Sequence, residues 1–132
     1  MDERQRGRLT KDGIRIFENA EDFAGMHAAG ALASQILDEI APMVQPGVST
    51  AEIDRAINLK VDEAGATSAT VGYKGYRHAS CISVKHVVCH GIPGDPIPKM
   101  RTLSKSYEKR RANDVLQDGD ILNVDVTVIV DG

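Results

Sequence analysis

Apolar residues recur at spacings of three and four along Phe23, Met26, Ala29, Ala33, Ile36, Leu37, Ile40 and Val44. That is the period of a helix burying one stripe. The spacing predicts a first helix beginning near Asn19, a suitable N-cap, with Glu21 and Asp22 at the positive end of the helix dipole. Pro46-Gly47 ends it. Ser49-Thr50-Ala51-Glu52 announces a second helix, because the serine hydroxyl and the glutamate carboxylate can each satisfy the other's backbone N–H. Ile53, Ile57, Val61 and Ala64 form its apolar stripe, and Gly65 stands where a left-handed C-terminal residue is wanted. Helices joined by so short a turn pack as a pair.

Beyond Gly65 the texture shifts to β-branched residues and glycines, and short strands are expected at 69–73, 81–84 and 87–89. The clearest strand runs from Asp120 to Val130. Leu122, Val124, Val126, Val128 and Val130 alternate with Asn123, Asp125 and Thr127, so one face is core and the other polar. Residues 1–18 mix charges with glycines and read as a flexible lead-in ending in a short strand at 14–17.

At 132 residues the chain is one domain's length, 19–132 after the lead-in. Sixteen basic residues against nineteen acidic give a net charge of −3, which argues against a protein coated by nucleic acid. The charge is segregated, however. From 99 to 111 six basic residues, Lys99, Arg101, Lys105, Lys109, Arg110 and Arg111, face one acid, Glu108, and the stretch 94–117 that holds them is long for a connector in a compact domain. Such a run is either a solvated loop or a contact for an acidic surface such as RNA. No segment is apolar enough to span a membrane, and Cys81 and Cys89 are too few for a disulfide framework, so the cytosol is the expected compartment. Aromatic residues are too scarce for a base-stacking platform.

Asp125 is the first candidate for chemistry, since an aspartate within an apolar strand needs water, a cation or several donors. A wet outer face and a metal carboxylate at a cleft floor both fit. His90 follows the apolar run Val87-Val88-Cys89 and is broken off by Gly91 and Pro93, which sets an imidazole at an expected strand end, for structure or for catalysis. Tyr73 and Tyr76 flank Lys74-Gly75 and either line an apolar pocket or cover a core edge. Nothing beside Cys81 or Cys89 lowers a thiol pKa, so both read as small core residues. His27 and His78 read as surface residues.

In order along the chain stand Phe23-Ala24-Gly25-Met26, Pro46-Gly47-Val48-Ser49-Thr50-Ala51-Glu52-Ile53-Asp54, Gly72-Tyr73-Lys74-Gly75-Tyr76 and Cys81-Ile82-Ser83-Val84. Val87-Val88-Cys89-His90-Gly91-Ile92-Pro93 and Asp118-Gly119-Asp120-Ile121-Leu122-Asn123-Val124-Asp125-Val126-Thr127 follow. Together they resemble the type I methionine aminopeptidases over nearly all of 20–132 apart from the loop. The resemblance implies an α+β fold, half of a pita-bread (creatinase/aminopeptidase-like) fold, with two helices packed on an antiparallel sheet. It also implies a cytosolic enzyme that removes the initiator methionine from nascent chains, using two divalent ions (cobalt, manganese, iron or zinc) to activate a water.

By that analogy Asp125 is a metal-bridging carboxylate, and His90 is the catalytic histidine that hydrogen-bonds substrate near the scissile amide. Tyr73, Tyr76 and Cys81 line the methionine side-chain pocket. The family's remaining metal ligands fall beyond Gly132, so weak or absent metal binding and no turnover are expected of these residues alone, as is self-association through the open edge of a half-fold. Lys85 replaces the family's usual Asn, Arg77 replaces Pro after the Gly-Tyr pair, and the basic insertion has no counterpart. A rival reading makes the chain a non-enzymatic module that contacts ribosomal RNA or another acidic partner through that insertion.

Overall fold

The computed structural model describes residues 7–97 and 113–132. Helix α1 spans Ala20–Ile40, and the Asn19 side chain accepts from the Asp22 N–H at 2.9 Å, as expected of its cap. The helix stops earlier than its apolar spacing suggests, because Pro42 opens a 3₁₀ turn at Ala41–Met43. Only its C-terminal part reaches the core: Ile36 and Ile40 are buried, while Phe23 and Met26 on the same stripe are about half exposed. Helix α2 spans Thr50–Glu63 and begins with the complete capping box, Ser49 N–H on Glu52 at 2.8 Å and Glu52 N–H on Ser49 at 3.1 Å. The Ser49 backbone N–H first, and then the Ser49 hydroxyl at 2.9 Å, donate to the Glu52 carboxyl and hold it below its usual range. An ion pair from Lys60 to Glu39 ties α2 to α1.

Among the described residues, three two-stranded antiparallel sheets complete the α+β architecture. Strands β1 (Arg8–Leu9) and β2 (Arg15–Ile16) form a small hairpin, so the strand expected at 14–17 is present and paired. Strand β3 (Thr67–Ser68) pairs with β6 (Val128–Ile129), and β4 (Ser80–Val84) pairs with β5 (Leu122–Val126). Ile82 and Val84 of β4 join Ile53, Ile57 and Val61 of α2 in the core, and Val124 and Val126 of β5 pack against it.

Three strand expectations need correction. Residues 69–73 are not a strand beyond β3: left-handed backbone at Gly72, Lys74 and Gly75 coils the chain into a 3₁₀ turn at Tyr73–Gly75. Residues 87–89 are not a strand either. Lys85 and His90 both have positive φ, and the segment doubles back along the edge of β4, where the Ile82 N–H donates to the Gly91 carbonyl at 2.9 Å. Finally, the run 120–130 is interrupted at Thr127, where the chain changes partner from β4 to β3 and the Thr127 carbonyl accepts from Ala69 N–H.

Candidate functional site

The β4–β5 register sets Cys81 directly opposite Asp125 and Ser83 opposite Asn123, while Ile82 and Val84 turn to the helices. Strand alternation therefore puts a thiol beside a carboxylate on the face away from the core. Asn123, Asp125 and Thr127 are all exposed. Tyr76 reaches the same thiol: the Cys81 Sγ–H donates to Tyr76 Oη at 3.6 Å, and the phenol donates to the Ser80 carbonyl at 2.8 Å. Burial, and then the Cys81 contact, push the Tyr76 phenol above its ordinary pKa, so it stays a neutral donor. Tyr76, Cys81 and Asp125 are thus brought together.

Tyr73 and His90 stand apart from that cluster. Tyr73 is 66% exposed at the head of its 3₁₀ turn, with Lys74 Nζ 5.5 Å from its ring centroid. His90 is exposed on the returning loop, at the rim of a cavity of about 180 Å³ floored by Ile82, Val84 and Val87, whose lining includes none of Tyr76, Cys81 or Asp125. Its placement depends on Gly91, whose N–H donates to Ser83 Oγ at 3.0 Å and whose missing side chain lets the loop lie on the β4 backbone.

His78 is not the free surface residue its sequence context suggested. Its Nδ1 lies 3.2 Å from Asp54 Oδ2, and Asp54 Oδ1 accepts from Ser80 N–H at 2.9 Å and Ser80 Oγ at 2.7 Å. This largely buried aspartate pins the entry to β4, and so Tyr76 and Cys81, onto α2. The available signal was Asp54's position beside Ile53 and three residues before Ile57, on the border of the buried stripe.

Among the described residues no three His, Cys, Asp or Glu side chains converge to hold a metal ion. A single exposed carboxylate surrounded by water does not make a divalent metal centre. Asp125 is available as one ligand only. The six basic positions from Lys99 to Arg111 lie outside the described residues.

The profile of metallopeptidase family M24 matches residues 24–132. The chain belongs to metallopeptidase family M24. Among its M24 relatives, the methionine aminopeptidase of Escherichia coli K12 is 47% identical over 113 residues, 85% of this chain and 36% of the relative. Methionine aminopeptidase A of Synechocystis is 45% identical over 107 residues, 81% and 36% of the two chains. The crystal structure of methionine aminopeptidase from Rickettsia prowazekii superposes with a TM-score of 0.70 at 38% identity, covering 86% of this chain and 39% of that one. The Thermotoga maritima enzyme, at 24% identity and a TM-score of 0.68, supports the fold. The α+β, pita-bread class expected from the resemblance therefore holds. The M24 chain spans about a third of the length of the curated relatives it matches. No helix among its described residues is long and apolar enough to cross a membrane.

Proposed function

We propose that the chain forms part of a cytosolic methionine aminopeptidase that removes the initiator methionine from nascent proteins. The observation that carries this reading is the β4–β5 register, which sets Asp125 beside a thiol already engaged by Tyr76. A soft sulfur and an aromatic ring suit a methionine thioether, and the adjacent carboxylate suits one ligand of a two-ion centre. In this reading Tyr76 and Cys81 wall the side-chain pocket, and Tyr73 closes its rim. His90 hydrogen-bonds the substrate near the scissile amide, and Asp125 contributes to the metal site.

Asp125 alone holds two hard cations weakly, so the 132 residues by themselves are proposed to be silent toward a Met-Ala-Ser peptide in excess cobalt, manganese or iron. A chimera in which residues 19–132 replace the matching part of the Escherichia coli methionine aminopeptidase tests the reading. Release of methionine that Asp125→Asn abolishes is the expected result. A folded but inert chimera overturns it.

The charge count of residues 99–111, six basic residues to one acid, favours one further role, a contact with ribosomal RNA or another acidic partner. Affinity falling steeply with salt, and lost when the six are neutralised, is expected of it. Flat salt dependence excludes it. Strand β5 pairs only with β4 among the described residues, so self-association through its other edge is proposed as well, and a monomer by sedimentation rules that out.

A further inference from the structure

A second concavity, of about 370 Å³, opens between α2 and the segment entering β4. Its lining includes Asp54, Arg55 and Asn58 from the helix and Val71, Arg77 and His78 from the segment. Asp54 is the single carboxylate among these residues and is not free to neutralise its neighbours. It is 7% exposed, with one oxygen taken by Ser80 and the other by His78. His78 is fixed in turn, Nδ1 on Asp54 and its ring in edge contact with Tyr76 at 5.4 Å, which leaves Nε2 without a partner among the described residues. Arg77 has no ion pair or hydrogen bond among those residues, and Arg55 meets only Glu52, at longer range on its own helix. By contrast, Arg8 is closed onto Glu18 at 2.7 Å. Two guanidinium groups, neither closed onto a carboxylate by a hydrogen bond among the described residues, and a fixed imidazole thus share one concavity in a chain whose net charge is −3.

A guanidinium presents paired N–H donors that match the oxygens of a phosphate, and two in one concavity exceed what a single carboxylate needs. The half-exposed Val71 adds an apolar wall for whatever carries the phosphate. We propose that this concavity, apart from the Tyr76–Cys81–Asp125 cluster, binds the phosphate group of a small phosphorylated ligand through Arg55, Arg77 and His78.

Inorganic phosphate titrated into the isotope-labelled 132-residue chain, followed by NMR at the Arg55 and Arg77 side chains and the His78 ring, tests this. Saturable shifts at those three groups are expected, weakened about ten-fold in Arg77→Gln and again in Arg55→Gln, as befits the loss of a charge-assisted hydrogen bond. Shifts that spread evenly over Lys11, Arg15 and Lys74, or that survive both substitutions unchanged, overturn the proposal. A ribonucleoside monophosphate binding more tightly than phosphate supports an organic phosphate as the ligand, whereas equal affinity assigns free phosphate. A uridine oligonucleotide that outcompetes the monophosphate with a steep salt dependence refutes a small ligand in favour of a nucleic-acid backbone.

Discussion

Replacing Gly91 by alanine sets one methyl group against backbone that has no room for it. The new Cβ falls 2.1 Å from the Ile82 carbonyl oxygen and 2.8 Å from both the Ile82 carbonyl carbon and Ser83 Cα. Gly91 does not have positive φ, so space and not backbone freedom is what demands glycine. Strand β4 cannot yield, because five registered pairs hold it to β5 and Ile82 is only 3% exposed. Relief must come from the returning loop, at the loss of Ile82 N–H to Gly91 O and Gly91 N–H to Ser83 Oγ. Two hydrogen bonds at about 1 kcal/mol each, with about 1 kcal/mol of residual overpacking, give a destabilisation of about 3 kcal/mol. Urea unfolding followed by circular dichroism reads this as a lower midpoint at unchanged slope. Gly30→Ala is the control: nothing lies within 4 Å of its Cβ in mid-helix, so a gain of about 0.5–1 kcal/mol is expected. A Gly91→Ala loss below about 0.5 kcal/mol, with the His90 resonances unmoved, refutes the argument from close approach.

Asp54→Ala strips the one acceptor shared by the Ser80 N–H and hydroxyl, leaves that N–H buried without it, and frees His78; a loss of about 3 kcal/mol is expected in the same urea assay, and less than about 1 kcal/mol contradicts it. Lys85→Met removes the 3.2 Å ion pair to Asp120, whose side chain is 2% exposed, and costs about 1 kcal/mol after allowance for the half-exposed lysine. Lys85→Asn removes the same pair but accepts the left-handed φ of 58° more readily, so its midpoint lies above that of Lys85→Met. For Tyr76 the folded pKa is raised, so its stabilisation is complete below the ordinary tyrosine range near about pH 10 and is lost as pH rises beyond it. An alkaline phenolate absorbance titration should show a late-ionising tyrosine that vanishes in Tyr76→Phe; identical curves rule it out.

The helices were legible because their signals are local. Asn19, the Ser49–Glu52 box and the Ile53–Ile57–Val61 spacing each act within a few residues and formed as read. The loops were not, because what shapes them is distant in sequence. Val87-Val88-Cys89 has strand composition, yet the chain there is turned by left-handed residues at 85 and 90 and held by the Ile82 N–H donating to the Gly91 carbonyl. Alternation in 120–130 correctly separated Asp125 from the core, but the change of partner at Thr127 depends on β3, roughly sixty residues away. His78 was misread for the same reason: its partner, Asp54, is 24 positions back on α2. Of the candidate site, alternation made Asp125 visible and the motif resemblance made Tyr76 and Cys81 visible. Only the register shows that the three share one face.

Both flanks of the basic stretch meet the scaffold at Thr50. Thr50 Oγ1, on a residue 2% exposed, accepts from Gly94 N–H at 3.0 Å and donates to Asp114 Oδ2 at 3.0 Å, and the same carboxylate oxygen accepts from Ala51 N–H at 2.9 Å. The chain leaves and re-enters at one point, beside the paired segments around Val48 and Leu116. Joining two points of a chain costs only (3/2)RT times the logarithm of the length between them, so cutting the connection from Gly94 to Asp114 to about half recovers about 0.6 kcal/mol. Replacing residues 99–111 by a short Gly-Ser linker, which spares the buried Ile97, should therefore leave the unfolding midpoint unchanged or higher. Thr50→Val, which removes the hydroxyl from Gly94 and Asp114 but leaves the backbone bonds to Asp114, should lower stability by about 2 kcal/mol. A linker variant destabilised by more than about 1 kcal/mol would mean that the excised residues pack on the domain, against this argument. If the fold survives excision while salt-dependent RNA binding is lost, the insertion carries that binding and the scaffold only presents it.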